Sequence, residues 1–352
     1  MGIILFAFAA AISGAISRFL FRVPAMLDSP GVRSLHSSPT PRTGGIGIMV
    51  AVLIVGSGAF VVAGEEFGRN SSWWLLIALS LAFTFSLWDD SRSLSAATRL
   101  LLQAIVAILV VASGRILSSL PVPMLGEFDL GWIALPFTVL FVMWFMNLYN
   151  FMDGMDGFAG GMGLAGFGFL ALIGHFGDDM HVFLFCLVLS GASLGFLVYN
   201  FPPAKIFMGD AGSISLGLAA SGVSILGTQR GTWDIWVPLL VFSPFIVDAT
   251  VTLFFRLFRG ERVWEAHRCH FYQSLVLAGW GHRKTVSAEY LLMLACGASG
   301  VYYHFAAPAA RLAVLCGWFL AYLVLIVLVT RIQRRSGRES LATREAMRTS
   351  SP

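Results

Sequence analysis

The chain has 352 residues, of which 57% are hydrophobic and 12% are charged, and its formal net charge is +4. Soluble domains carry about 25% charged residues, so this composition excludes an ordinary soluble protein and indicates an integral membrane protein. The apolar runs are continuous rather than alternating, which favours helices over strands.

Hydropathy predicts a single all-α polytopic fold with about eleven transmembrane helices, ten being the alternative count. In chain order the predicted spans are 2–20, 44–63, 72–88, 99–117, 132–149, 158–174, 181–199, 213–228, 235–256, 286–305 and 310–330. The glycine-rich stretch 160–168 favours close helix contacts. The proline-containing segment 118–131 is predicted to form a hairpin outside the membrane.

The basic residues predict the orientation of the chain in the membrane. With these spans, 19 of the 23 Lys and Arg residues fall on one side and four on the other. The positive-inside rule then places the N-terminus in the periplasm and the C-terminus in the cytoplasm. Residues 1–331 form the predicted membrane domain, and the Arg- and Ser-rich segment 332–352 is predicted to be a disordered basic cytoplasmic tail.

Carboxylates are scarce, and several of them lie at predicted helix ends on the cytoplasmic side. Asp89 and Asp90 end the third helix, where negative charge opposes the helix dipole. A divalent cation would offset that cost, and the pair would supply a metal ligand or a base. A solvated acidic pair in a loop is the alternative interpretation.

The densest polar cluster is Asn147-Leu-Tyr-Asn150-Phe-Met-Asp153-Gly-Met-Asp156-Gly157. Helical spacing would place Asn150, Asp153 and Asp156 on one face. The interleaved glycines permit tight turns and a close approach of a ligand to the backbone. A helix stop with an Asx turn explains one Asp-Gly pair but not two.

A third acidic motif, Phe207-Met-Gly-Asp210-Ala-Gly-Ser213, leads into the eighth helix. Ser213 is the predicted N-cap, and Asp210 is either a capping acid or a metal ligand. Lys205 precedes the motif as a candidate phosphate contact.

The most basic loop contains His267-Arg-Cys-His270-Phe-Tyr-Gln273, a pattern typical either of a polyanion site or of ordinary cytoplasmic loop charge. Asp248 lies inside the ninth helix, where an ionisable group is a functional candidate or the partner of a polar group on a neighbouring helix.

At these residues the sequence resembles the polyprenyl-phosphate N-acetylhexosamine-1-phosphate transferases, a glycosyltransferase family 4 type. The matching motifs are Asp28-x-Pro-x-x-x-Arg33-x-x-His36, Pro39-Thr-Pro-Arg42-x-Gly-Gly45, Asp89-Asp90, Asn147-x-x-Asn150-Phe-x-Asp153-Gly-x-Asp156-Gly, Gly209-Asp210-x-Gly-Ser213 and the His267/His270 loop. The resemblance covers nearly the whole chain, about 25–275 by motif.

The resemblance implies a reaction and its cofactor. A phosphate oxygen of undecaprenyl phosphate attacks the β-phosphorus of a UDP-sugar, and UMP leaves. Two polyanions meet in this reaction, which requires Mg²⁺, with Mn²⁺ as an alternative, and cationic side chains.

The resemblance also assigns roles to residues. It implies Mg²⁺ ligation by Asp210 with Asp153. Asp89 becomes the candidate base or the organiser of the lipid phosphate, with Asp90 as its partner. Asn150 and Asp153 are implied to support the metal and the diphosphate, and Asp156, Asn200 and Phe207 to bind the nucleotide. His267, Arg268 and His270 are implied to hold the sugar diphosphate. Arg42 and Lys205 are implied to make further substrate contacts.

One difference from the family's motifs indicates which glycan pathway to expect. Cys269 and Phe271 interrupt the histidine-dense loop of the peptidoglycan pentapeptide translocases. The His-Arg-x-His form resembles the branch that starts O-antigen or other surface glycans with GlcNAc, FucNAc or QuiNAc. We therefore expect a multi-pass enzyme of the bacterial inner membrane with a cytoplasmic site, no nucleic-acid partner, and a homodimer as an open alternative.

Three other functions are alternatives to this one. The pentapeptide translocase of peptidoglycan synthesis is the alternative within the family. An ion-coupled transporter would place its coupling carboxylates near the midplane, where only Asp248 is expected. A CDP-alcohol phosphotransferase would continue its acidic signature with Arg and Asp, and residues 158–174 contain neither.

Overall fold

The computed structural model describes residues 1–349 except 24, 25, 31–34, 36, 37, 69, 70, 93 and 263–267, and it describes side chains as far as residue 336. The protein is 76% helical, which confirms the all-α polytopic class. The α-helices of the described residues are α1 Gly2–Arg22, α2 Gly44–Val62, α3 Trp73–Arg92, α4 Ala96–Ala112, α5 Ala134–Phe151, α6 Phe158–Phe176, α7 Met180–Asn200, α8 Asp210–Gln229, α9 Trp236–Val241, α10 Ser243–Phe258, α11 Phe271–Leu275, α12 Gly281–Phe305 and α13 Pro308–Thr349.

Two short antiparallel strand pairs accompany the helices. β1 Leu27–Asp28 pairs with β2 Thr40–Pro41 beside the start of α2. β3 Ser119–Val122 pairs with β4 Gly126–Asp129, with Leu120 opposite Phe128. This second pair confirms the hairpin predicted within 118–131.

Each predicted span coincides with helical structure, but the ninth span is divided. α9 ends at Val241 and α10 restarts at Ser243 with a proline in its first turn. Proline has no N–H and its ring clashes with the preceding helical turn, so a continuous helix is disfavoured there.

Among the described residues, seven helical segments are long and apolar enough to cross a membrane. They are Gly2–Arg22, Gly44–Val62, Gly131–Phe151, Phe158–Phe176, Met180–Asn200, Asp210–Gln229 and Pro308–Ser336. The protein is therefore a multi-pass membrane protein, while the count of eleven and the orientation stay predictions.

The core lies around α8, which is almost entirely buried and packs against α2, α3 and α5. Small residues allow these close approaches: Gly45 of α2 faces Gly212 of α8, and Gly163 of α6 faces Ser193 of α7. Such contacts are typical of helix packing in lipid, where surfaces without large side chains let backbones meet. The N-terminus of α8, at Asp210, lies beside the C-terminal ends of α3 and α5.

The last helix extends further than the sequence indicated. α13 continues to Thr349, through most of the segment predicted to be a disordered tail. Its apolar part ends at Ser336. The division of the chain at residue 331 remains a prediction.

Candidate active site

The end of α3 meets the beginning of α8 through Asp90. The Asp210 and Ala211 N–H groups donate to the two carboxylate oxygens of Asp90 at 3.2 and 2.9 Å. These amides belong to the first turn of α8, where N–H groups lack helical partners. The sequence predicted that a cation offsets the negative charge of Asp90. The positive end of the α8 dipole supplies part of that compensation.

Asp89 has a different set of partners. It accepts a hydrogen bond from the Leu94 N–H at 2.7 Å and forms an ion pair with Arg99 of α4. Arg99 Nη1 also lies 3.7 Å from Asp210 Oδ2, so one guanidinium faces two carboxylates. Arg99 is predicted from the sequence only as a cytoplasmic charge, and its place beside these acids is a finding of the structure.

Asn150 joins α5 to the first turn of α8. Its Nδ2 donates to Asp210 Oδ1 at 2.8 Å and to Ser213 Oγ at 3.0 Å. The predicted N-cap role of Ser213 is wrong. Gly209 is the N-cap residue of α8, and Ser213 lies one turn inside the helix and donates to the Gly209 carbonyl oxygen.

The expected helical face of Asn150, Asp153 and Asp156 is also wrong. α5 ends at Phe151 and α6 begins at Phe158, so both aspartates lie in the connecting loop. Gly157 has φ +76° at the start of α6, a backbone conformation that ends any continuous helical register. The two aspartates consequently face different partners.

Asp153 lies beside the other acids of the site. Its pKa is raised well above the ordinary value, first by removal of the carboxyl from water and then by the negative charges of Asp210 and Asp90. The Gly209 N–H partly offsets this by donating to the carboxylate. Ionisation of Asp153 beside Asp210 and Asp90 would therefore leave an excess of negative charge at this point.

This excess charge fits a divalent cation. Mg²⁺ keeps several waters and takes only one or two carboxylates, so Asp153 and Asp210 have the right chemistry. Within the described part of the chain, no three His, Cys, Asp or Glu side chains form a ready metal cage. A cation here would be held by few protein ligands, together with water and substrate phosphates.

Asp90, Asp153 and Asp210 line one cavity of about 230 Å³. Its walls bring together the residues Asp28, Leu35, Arg42, Asp90, Asp153, Gly154, Met155, Asp156, Asn200, Phe207, Gly209, Asp210, Gln273 and His282. A second cavity of about 350 Å³ adjoins it and shares Leu35, Asp156, Phe207 and His282. Of the polar residues predicted to converge, Asp28, Asp90, Asp153, Asp156 and Asp210 line this cavity, while the side of the membrane stays a prediction.

Arg42 and Gly209 close one wall of the first cavity. The Arg42 Nη2 group donates to the Asp90 carbonyl oxygen at 2.8 Å. Gly209 has φ +72°, and a Cβ at this position would overlap the Arg42 carbonyl oxygen. The glycine of the Gly-Asp motif is therefore required by the close approach of two backbones.

The three residues with predicted nucleotide contacts have distinct environments. Asp156 Oδ2 accepts a hydrogen bond from the Ala204 N–H at 3.0 Å, and Phe207 borders both cavities. Asn200 is buried, accepts from the Gly157 N–H and donates to the Ile206 carbonyl oxygen, both at 2.9 Å. Both ends of its amide thus already bind backbone.

The basic loop is only partly described. His267 lies outside the described residues, and Arg268 is exposed. His270 is buried, and its Nδ1 lies 3.0 Å from Asp248 Oδ1. Asp248 also accepts from the Phe271 and Tyr272 N–H groups, so it anchors the start of α11. Of the two interpretations of Asp248, the structure supports the polar-partner one.

Some predicted residues do not line either cavity. Among the described residues, the predicted site residues absent from the walls of both are Asp89, Asn150, Lys205, Arg268 and His270. Conversely, Gln273 and His282, which were not predicted site residues, line the first cavity. Gln273 ends the motif of the basic loop and His282 follows it, but no spacing rule connects either residue to Asp156, which precedes them by more than a hundred residues.

The fold and the site together define a multi-pass membrane protein with an acidic cavity at the ends of its helices. Residues 72–228 match the model of Glycosyl transferase family 4. A probable undecaprenyl-phosphate N-acetylglucosaminyl 1-phosphate transferase of Bacillus subtilis is 31% identical over 80% of this chain and 78% of its own. The chain belongs to the polyprenyl-phosphate hexosamine-1-phosphate transferase family, and it is a phospho-sugar transferase by that membership.

Relatives with another printed activity are nearly as similar. A phospho-N-acetylmuramoyl-pentapeptide-transferase of Listeria monocytogenes is 31% identical over 71% of this chain and 79% of its own. One from a Synechococcus strain is 32% identical over 75% of this chain and 79% of its own. The matches thus support the reaction class more strongly than the sugar.

Proposed function

We propose that the protein transfers an N-acetylhexosamine 1-phosphate from a UDP-sugar to undecaprenyl phosphate at the cytoplasmic face of the bacterial inner membrane. The observation that carries the proposal is the meeting of Asp90, Asp153 and Asp210 with the N-terminus of α8 in one cavity at the helix ends. The acids suit a divalent cation, and such a cation would attract the phosphates of both substrates.

The proposed reaction is a single displacement. An oxygen of the lipid phosphate forms a bond to the β-phosphorus of the UDP-sugar, and the bond from that phosphorus to the bridging oxygen breaks. The bridging oxygen and its electron pair leave with UMP, and a lipid-linked sugar diphosphate remains. Phosphoryl transfer depends chiefly on positioning and electrostatic stabilisation, so the side chains that orient the two phosphates dominate catalysis.

The residues around the cavity receive roles from their contacts. Asp210 and Asp153 would hold Mg²⁺, with Mn²⁺ as the alternative, and the bound ion would stabilise the charge that develops on the phosphates. Asn150 fixes the Asp210 carboxylate through the contact at 2.8 Å. Asp89, paired with Arg99, organises the lipid phosphate, which is already largely ionised and needs little help from a base.

The remaining roles concern the nucleotide and the sugar. Asp156 accepts hydrogen bonds from the nucleoside, and the Phe207 ring provides a surface for the uracil base. Asn200 supports this region through its two backbone contacts. Arg42 contacts substrate phosphate from the first cavity, and Lys205 is proposed as a further phosphate contact. His267, Arg268 and His270 are proposed to hold the sugar diphosphate.

The proposed sugars are GlcNAc, FucNAc or QuiNAc, for the start of O-antigen or another surface glycan. The Bacillus subtilis relative, whose printed name specifies N-acetylglucosaminyl 1-phosphate transfer, supports GlcNAc. The pentapeptide transferases among the relatives make peptidoglycan synthesis the second candidate. Cys269 in place of a third loop histidine weighs against that candidate.

The test uses membranes that contain the protein, undecaprenyl phosphate and radiolabelled UDP-GlcNAc, UDP-FucNAc, UDP-QuiNAc, UDP-GalNAc and UDP-MurNAc-pentapeptide. We expect a lipid product and UMP release with one UDP-N-acetylhexosamine, and loss of both with EDTA. Product formed only with UDP-MurNAc-pentapeptide would establish the second candidate. No lipid product with any donor would refute the proposed function.

A further inference from the structure

His282 occupies the wall between the two cavities. It is the second residue of α12, directly after Gly281, whose φ is +67°. Its half-buried ring lines both cavities, together with Leu35, Asp156 and Phe207. The ring therefore lies where the first turn of α12 meets the loops that carry Leu35 and Asp156.

Both ring nitrogens of His282 face oxygen atoms. Nδ1 lies 3.1 Å from Asp156 Oδ1, and Nε2 lies 3.3 Å from the Leu35 carbonyl oxygen. Carboxylate and carbonyl oxygens only accept hydrogen bonds, so both ring nitrogens donate, as in imidazolium. The Asp156 N–H also points at Nδ1 from 3.4 Å, but this contact is longer and we assign the shorter one.

The Asp156 carboxylate is consequently held from two directions. Its Oδ2 accepts from the Ala204 N–H at 3.0 Å, and its Oδ1 faces His282. With both contacts in place the carboxylate cannot rotate freely, and the same histidine keeps Leu35 beside it. Burial of a ligand against a wall fixed in advance avoids the entropic cost of ordering that wall on binding.

We propose that His282 is a positioning residue for the nucleotide: it orients Asp156 and ties Leu35 to the same wall, and so determines affinity for the uridine nucleotide rather than the rate of phosphoryl transfer. The inference rests on the proposed function, which assigns Asp156 to the nucleoside. Among the described contacts, His282 has none with Asp90, Asp153 or Asp210, the acids placed at the reacting phosphates.

The pKa of His282 supports this arrangement. The hydrogen bond to Asp156 raises it above the ordinary value, and burial opposes the shift only in part. The protonated ring is thus favoured in the folded protein, consistent with two donating nitrogens.

The test compares purified wild-type protein with His282→Ala, His282→Gln and Lys284→Gln. Lys284 is exposed on the same turn and lies over the Trp280 ring, so it controls for loss of charge without contact to Asp156. Calorimetry gives the Kd of UMP, and steady-state assays give KM and kcat for the accepted UDP-sugar.

We expect His282→Ala to raise Kd and KM about tenfold, the effect of losing one charged hydrogen bond, with kcat changed less than about twofold. Glutamine retains a side-chain N–H donor, so His282→Gln should recover most of the affinity. Lys284→Gln should match wild type. Unchanged Kd in His282→Ala, or a loss of kcat with KM unchanged, would overturn the inference.

The two hypotheses fail in different ways. Wild-type protein that binds UMP but forms no lipid product refutes the transfer reaction, and the Kd comparison still decides the role of His282. Wild-type protein that binds no UMP overturns the role of His282. If His282→Ala does not fold, the pH dependence of the UMP Kd decides: a pH-dependent component present in wild type and Lys284→Gln but absent from His282→Gln supports the inference, and identical profiles refute it.

Discussion

The Asp90 carboxylate accepts hydrogen bonds from the backbone N–H groups of Asp210 and Ala211, which links the last turn of α3 to the first turn of α8. Asp90 thus acts as a cap supplied by a different helix. The contact fixes the backbone from which the Asp210 side chain projects. It also explains how an acidic pair is stable at a helix C-terminus, because the opposing helix presents the positive end of its own dipole.

This capping contact predicts a stability effect for Asp90→Ala. The substitution leaves two buried N–H groups without acceptors, at a cost of about 2 kcal/mol. We expect a lower melting temperature in detergent and loss of turnover, since α8 loses its attachment beside Asp210. Asp90→Asn is the matched control, because its amide oxygen still accepts one bond. Equal melting temperatures for wild type and Asp90→Ala would contradict the role of Asp90 as a cap.

Asp210→Asn should separate chemistry from folding. The amide oxygen can still accept from Asn150, and the backbone contact with Asp90 is untouched. We expect turnover to fall about a hundredfold or more, because a negative charge at the phosphates' cation is lost. UMP release and the melting temperature are measured on the same preparation. Near-normal turnover would remove Asp210 from the metal site.

The contact between α2 and α8 predicts a strong effect for Gly45→Ala. A Cβ there would overlap the backbone nitrogen of Gly212, and the Gly45 N–H donates to the Met208 carbonyl oxygen at 2.8 Å. Backbone atoms cannot rotate away, so we expect a loss of about 1–3 kcal/mol and reduced activity.

Gly58→Ala tests the same helix without the contact. Nothing lies within 4 Å of a Cβ at Gly58. Alanine is the better helix former, so the melting temperature should stay the same or rise slightly. Similar losses for both glycine variants would show that the interface with α8 is not the cause.

The His282–Asp156 contact predicts a pH dependence of nucleotide binding. The folded-state pKa of His282 is raised, so protonation favours the contact, which is fully present below the ordinary value of about 6.5. The contact is lost as pH rises through the raised pKa. We expect the Kd of UMP to increase over that range in wild type. His282→Gln should lack this component, and identical pH profiles would refute the assignment.

The sequence alone determined the class of protein and the position of its polar groups along the chain. Continuous apolar runs specify membrane helices because every buried backbone group must bond within its own segment. Acids at the ends of such runs are confined to one of two surfaces, so Asp89, Asp153 and Asp210 were placed together without coordinates. Local backbone geometry was predicted less well from the sequence. Ser213 is not the N-cap of α8, and Asn150, Asp153 and Asp156 do not share a helical face.

Only the tertiary structure decided which groups meet. Asp90 bonds the start of α8, Arg99 pairs with Asp89, and His282 reaches Asp156 across more than a hundred residues. In a membrane the lipid is as apolar as the helices, so hydropathy specifies that a segment spans but not which neighbour it contacts. Partner choice depends on close fits between small residues, such as Gly45 against Gly212, which are properties of two surfaces together.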